Sequence, residues 1–261
     1  MKTFTLCADD YAQSPAISAG IRALVKQRRL SAVSCFTESP HWPAEAPLLL
    51  PHRDHLAVGL HLNLTHPFLP GTLPVGQWIR RAAFRQIDAL AILASFQRQY
   101  ASFLEHVGAP PDFIDGHQHI HVFPIIRQAC FELLAPLPQA TRPWLRSLFP
   151  LLPGQKTSSK TRILRLLSRG FHPADHHIRT NDEFGGFYDL KPATSLPDLF
   201  PPLLASISGH ALLMCHPGAP SNDSSDPIAA TRHLELDYFA SNSFQTELDR
   251  HHLRPFGPRF S

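Results

Sequence analysis

The chain has 261 residues, a length that one α/β barrel fills. Hydrophobic residues make up 43% and charged residues only 17%, which allows a sizeable core and excludes a disordered or charge-driven binder. The net charge of +3 comes mostly from scattered arginines, and the basic run from Lys156 to Arg169 is interleaved with Ile163, Leu164, Leu166 and Leu167 like an amphipathic helix, so no nucleic-acid partner is expected.

Taken in chain order, Thr3 to Ala8 reads as a short apolar strand that ends in Asp9-Asp10. Ser14-Pro15 then reads as a helix cap with Pro at the first helical position, and Ile17, Ile21, Leu24 and Val25 supply the apolar stripe. Ala32 to Phe36 reads as a strand and Trp42 to Leu50 as a short helix. Leu56 to Leu64 is a strand with His61 near its end, and Thr65 to Gly76 is a Pro- and Gly-rich loop. Phe84 to Val107 predicts one long helix, Asp112 to His121 a strand, and Pro124 the start of another helix. Trp144 to Phe149 predicts a short strand, Pro150 to Lys160 a loop, and Thr161 to Arg169 a helix. His172 to Tyr188 has no clear period and reads as an irregular loop. Leu196 to Ile207 is helical, Ala211 to Cys215 is a buried strand, and two helices follow near Asp226–Ala240 and Ser243–His251. Strands alternating with helices imply a mainly parallel sheet, and the length favours a single-domain, (β/α) barrel-like α/β fold over residues 1–261.

The four cysteines, Cys7, Cys35, Cys130 and Cys215, form no CxxC pair and suit buried free thiols in a reducing compartment. The first strand begins almost at Met1, leaving no room for a signal peptide, and no apolar run approaches the ~18 residues of a membrane span. A soluble cytoplasmic protein is the expectation.

The chemistry lies in where the ionisable residues fall. Asp9-Asp10, His61, the run His117/His119/His121 and His216 all sit at the C-terminal ends of expected strands, the edge where parallel α/β folds build their sites. Adjacent carboxylates after a strand point in different directions, so one can ligate a metal while the other acts as a base. His61 alternates with Val58, Leu60 and Leu62 and shares its face with Asn63 and Thr65. In Asp115-Gly116-His117-Gln118-His119-Ile120-His121, three histidines at a spacing of two would lie on one face of a strand, a common way to present imidazoles to one ion. Which of the three binds is left open by the spacing. His216, in Met214-Cys215-His216-Pro217-Gly218, is placed to protonate a leaving group. One Asp and two His leave open positions on an ion for water and substrate, and such a set suits Zn²⁺, Mn²⁺ or Co²⁺, with Mg²⁺ preferring oxygen.

Four ordered motifs carry a resemblance: Ala8-Asp9-Asp10-Tyr11 with Ser14-Pro15, Gly59 to Thr65, Asp115 to His121, and Met214 to Gly218. Together they resemble the YdjC-like carbohydrate deacetylases over nearly the whole chain. The resemblance implies a barrel-like fold, hydrolysis of the acetamide of an N-acetylated sugar, and one divalent ion, Mg²⁺ in the family, held by Asp10, His61 and His117. It implies Asp9 as base and His216 as acid, with a small carbohydrate as substrate, and it is compatible with a homodimer. Tyr11, His119 and His121 are candidate substrate contacts; Phe184, Phe187 and Tyr188 are further stacking candidates, with plain packing the simpler reading of each aromatic. The chain departs from the family at Tyr11-Ala12, where Phe-Gly is frequent, and at Gln118, where another His is frequent. The competing readings are a metal-dependent phosphoesterase on a similar barrel, which would hold two or more ions, and a carbohydrate-binding protein without turnover.

Overall fold

The structure, a computed structural model, describes residues 1–256; the last five residues of the expected 1–261 domain lie outside the described residues. Its strands are β1 (Lys2–Tyr11), β2 (Ala32–Cys35), β3 (Ala57–Leu62), β4 (Phe113–Gly116), β5 (Trp144–Leu145), β6 (Glu183–Gly185), β7 (Ala211–Cys215) and β8 (Leu253–Pro255). Its helices are α1 (Pro15–Lys26), α2 (Trp42–Glu45), α3 (Val75–Ala83), α4 (Ala89–Val107), α5 (Ile126–Leu134), α6 (Ser159–Leu167), α7 (Leu196–Ser206), α8 (Ala229–Ala240) and α9 (Asn242–Arg250).

The sheet runs β5-β4-β3-β2-β1-β7-β6, with β8 added along the first residues of β1, and all of its pairings are parallel. The inner strands are apolar because both faces are covered: β2, β3 and β7 are buried throughout. Between β5 and β6 the curl is bridged by irregular chain. Leu152 N–H donates to Phe184 C=O at 2.8 Å and Phe184 N–H to Pro150 C=O at 3.0 Å, so the segment after β5 stands where another strand would. This is the barrel-like α/β architecture expected from the alternation of elements.

Several local expectations need correction. The helix expected over Phe84–Val107 begins only at Ala89, because Arg85 takes a positive φ of 54° after α3 ends at Ala83, and Asp88 starts α4 by capping Ala91 N–H at 3.1 Å. Phe84 is 68% exposed, so no core contact rewards continuation through it. The loop over Thr65–Gly76 yields to α3 at Val75. The short helix from Trp42 stops at Glu45, and 3₁₀ turns containing Pro47 and Pro51 follow. The strand over Trp144–Phe149 has only two residues, and the irregular stretch 172–188 carries β6.

Gly20 seats the segment that follows β7. A Cβ there would lie 2.4 Å from Ala219 N and 2.5 Å from the Gly218 carbonyl carbon, while Ala219 N–H donates to Ala16 C=O at 3.0 Å. Helix propensity favours Ala over Gly by about 1 kcal/mol, but backbone on both sides of the contact cannot move aside as a side chain can. Gly20→Ala is therefore expected to destabilise the fold by about 1–3 kcal/mol, the cost of overpacking. Urea titration measures it, and a variant as stable as the parent would show that α1 shifts freely.

Candidate active site

Everything starts at a break in β1. The register against β2 shifts between Ala8 and Tyr11, and Asp10 and Ala12 both take a φ of 68°. Left-handed backbone costs a non-glycine residue roughly 1–2 kcal/mol, so the surrounding structure enforces it. The result is that Asp9 and Asp10 diverge onto different partners.

Asp10 meets the histidines. Its Oδ1 lies 3.4 Å from His61 Nε2 and 3.2 Å from His117 Nδ1. One donor atom from each of the three residues falls within 4.8 Å of the others. The other carboxylate oxygen, Oδ2, accepts from Arg232 Nη2 at 2.9 Å, and Arg232 Nε is held by Asp226 at 2.6 Å. Burial works to raise the Asp10 carboxyl, but Arg232 and the two imidazoles outweigh it and hold it well below the usual range. His61 is aimed from behind: its Nδ1–H donates to Asp115 Oδ1 at 2.6 Å, beside Ser34 Oγ at 3.0 Å. That turns Nε2 toward Asp10, the arrangement in which a carboxylate orients a metal-binding imidazole. Burial pulls the imidazole down, yet Asp115 and Asp10 lift it to about 10. Two nitrogen donors and an ionised carboxylate in this geometry could hold a divalent ion.

Asp9 turns the other way, onto Arg146. Its oxygens accept from Nη1 at 2.7 Å and Nη2 at 2.6 Å, and Arg146 Nη2 also reaches Asp115 Oδ2 at 2.5 Å. Arg146 has no exposed surface. Burial opposes its charge, but Asp115 and Asp9 overcome that and raise its pKa further. A second cluster of potential ligands, Cys7, Asp9 and Asp115, surrounds this guanidinium. Asp115 thus joins both networks, steadying His61 with one oxygen and Arg146 with the other.

The histidine run is not a strand. The ladder ends at Gly116, and His117–Val122 forms a 3₁₀ segment in which Gln118 and His119 take positive φ values of 52° and 63°. His117 faces Asp10. His119 turns away, 5% exposed, with its ring edge-on to Phe187 at 5.2 Å and to Phe184 at 6.1 Å. His121 is fully buried and its Nε2 lies 3.0 Å from Arg146 C=O, so it braces the residue that grips Asp9 and has no face for a sugar. Tyr11 is likewise interior. Its hydroxyl donates to Glu45 C=O at 2.9 Å and accepts from Arg22 at 3.2 Å, which removes it from the substrate contacts expected of it.

His216 follows β7 at the same sheet edge. Burial lowers its imidazole to about 4, with Asp10 and Asp9 pulling upward. Its backbone N–H donates to Glu235 Oε2, while Tyr188 hydroxyl donates to Oε1 of the same fully buried carboxylate. Burial pushes Glu235 up to about 7.

Sequence reasoning missed Arg146, Arg232, Glu235, Ser34 and His66. Arg146 obeys the same rule as the others, a polar residue just past a strand, but the strand expected over Trp144–Phe149 encloses it and hides that it follows β5. Arg232 and Glu235 share the buried stripe of α8 with Tyr238 and Phe239, and charge on an apolar stripe was the available signal. His66 is brought beside His117, ring centroids 5.8 Å apart, by Asn63 Oδ1 accepting from its N–H at 2.8 Å.

The structure resembles that of an Enterococcus faecalis protein named for cellobiose-phosphate cleavage, with a TM-score of 0.74 over 98% of this chain and 97% of that one at 18% identity, a likeness of fold. A mouse protein called carbohydrate deacetylase is 27% identical over 82% of this chain and 77% of its own length. A Proteus mirabilis chitooligosaccharide deacetylase is 34% identical over 32% of this chain, and the match spans only 38% of that relative's length. The family model described as YdjC-like protein matches residues 3–250. This chain belongs to the YdjC-like family.

Proposed function

We propose that the protein is a metal-dependent hydrolase that removes acetyl groups from N-acetylated sugars. The observation that carries the reading is the split at the end of β1, where Asp10 joins a metal-competent set and Asp9, one residue away, is held apart by Arg146. An ion held by Asp10, His61 and His117 would supply polarisation of the acetyl carbonyl and acidification of water. Asp9, anchored through both oxygens, takes the proton of the attacking water. His216 stands as a neutral imidazole, so the proton it passes to the departing amine is one it first acquires, and the proton taken up by Asp9 is the available source. Of the three expected substrate contacts we retain His119, whose buried Nδ1 has no protein partner. Products are acetate and a free amino sugar. The resemblance points to Mg²⁺, while the two imidazoles suit Zn²⁺, Mn²⁺ or Co²⁺.

The phosphoesterase reading calls for more than one ion. Among the described residues the other ligand cluster is filled by the Arg146 guanidinium, which favours a single ion. The test is acetate release from a panel of N-acetylated sugars by metal-stripped protein, before and after adding each ion. Release is expected to rise by roughly hundredfold or more on reconstitution, since an ion supplies several kcal/mol of charge stabilisation. No release from any sugar with any ion would refute deacetylation.

A further inference from the structure

The loop that follows β3 brings one more imidazole to the reaction centre. His66 stands beside His117, with ring centroids 5.8 Å apart and planes at 88°, and beside Phe36 at 5.6 Å. Phe36 also touches the rings of both candidate ligands, His61 at 4.8 Å and His117 at 5.1 Å. Phe68 completes the cluster, 4.2 Å from the His66 ring and 5.1 Å from Phe36. Asp10, Arg232 and Asp226 are near enough for their charges to act on His66, and His66 acts in turn on Asp223. His66 therefore stands between the candidate ligands and the loop after β7.

The chain is built to hold it there. Asn63 Oδ1 accepts from the N–H groups of Thr65 at 3.0 Å and His66 at 2.8 Å, while Asn63 Nδ2 donates to His66 C=O at 2.9 Å. Asn63 is itself locked by Gln99, whose Oε1 accepts from its N–H and whose Nε2 donates to its C=O, each at 2.8 Å. Both backbone polar groups of His66 are thus satisfied, but its imidazole is not. Among the described residues neither ring nitrogen has a hydrogen-bond partner, and the residue is half-buried, open to solvent on one side. His61 and His121 differ, because their rings are committed to Asp115 and to Arg146 C=O. A histidine kept only for packing would gain by pairing its nitrogens within the fold. One that is fixed through its backbone and left unpaired beside a reaction centre has them free for a ligand.

We propose that His66 is a specificity-determining residue that hydrogen-bonds a ring hydroxyl of the sugar unit whose acetamide reacts. The proposal rests on the deacetylase reading. An imidazole can donate from one nitrogen and accept at the other, and a hydroxyl complements both. Holding that hydroxyl beside His117 orients the acetamide for attack and so raises kcat/KM.

The test uses the full chain, N-acetylglucosamine and its 3-, 4- and 6-deoxy analogues, with the ion that gives the highest acetate release, or Zn²⁺ if none does. His66→Phe keeps an aromatic ring against Phe36 and Phe68 but removes both nitrogens. It should lower kcat/KM on N-acetylglucosamine about tenfold, the scale of one lost hydrogen bond, with ion affinity and melting temperature those of the parent. In the parent, one analogue should likewise lose about tenfold, and His66→Phe should show no further loss on that analogue. A role in packing alone would leave the analogue's loss the same in both proteins. His66→Gln, whose amide donates and accepts, should keep the discrimination and guards against a misfolded Phe variant. Equal sensitivity of the parent and His66→Phe to every analogue would overturn the contact while leaving deacetylation standing. A tenfold loss of ion affinity would overturn it too, making His66 a support of His117. If the parent releases acetate from none of the sugars, calorimetric binding of N-acetylglucosamine decides. Binding that His66→Phe weakens tenfold sustains the contact and sinks the deacetylase reading, and equal binding or none in both proteins overturns the contact.

Discussion

Replacing Asp9 by Asn should lower acetate release by about 10²–10⁴-fold, the usual contribution of a general base, while leaving ion affinity nearly unchanged. The two effects separate because Asp9 lies on Arg146 and is not one of the three candidate ligands, although Asp115 touches both Arg146 and His61. The amide keeps the shape of the carboxylate but turns an NH₂ toward a guanidinium that has only donors, so some stability is lost as well. Release should therefore be measured on protein shown to be folded, alongside a metal titration. Turnover within tenfold of the parent would remove Asp9 from the role of base, and loss of ion binding would make it a ligand instead.

Arg146→Met should be the most damaging substitution for stability. Arg146 lies between Asp9 and Asp115 with no exposed surface, and its removal strands two carboxylates in the interior. Breaking a buried pair in this way costs about 3–5 kcal/mol. At ~2–4 °C per kcal/mol for a chain of this size, melting should fall by roughly 6–20 °C. The pH dependence follows from Asp115. Burial raises its carboxyl, but Arg146, His61 and Ser34 hold it below the ordinary range. A depressed carboxylate contributes stability above its unfolded pKa of about 4 and loses it as pH falls further. The deficit of the variant should therefore be full near neutrality and shrink below about pH 4. Acetate release should fall with it, because Asp9 loses its anchor. A variant melting within a degree or two of the parent would show that the ion triangle does not bear on the fold.

Much of this site is legible from position alone. A parallel sheet buries the middle of its strands, so ionisable residues that end apolar runs have to face the open edge; Asp9, Asp10, His61 and His216 are found that way. The same reasoning fails from His117 to His121. A spacing of two imitates a strand, but past Gly116 no neighbouring strand remains to pair with, and the backbone turns through two left-handed residues. Of the three imidazoles only His117 then reaches Asp10, one sits edge-on to Phe187, and one braces Arg146. The helix expected from Phe84 begins only at Ala89 for a related reason, since exposed Phe84 finds nothing to pack against and Arg85 turns left-handed.

The sequence by itself determined the α/β alternation, the family, and the residues at the strand ends, because these follow from local hydrophobic pattern and from motifs written in consecutive letters. Only the tertiary structure decided how the two adjacent aspartates divide their work. That division depends on Arg146, 137 positions from Asp9, and on Arg232, 222 positions from Asp10. Both are charges that can remain buried because a carboxylate waits for them across the fold, and no local pattern records such a pairing.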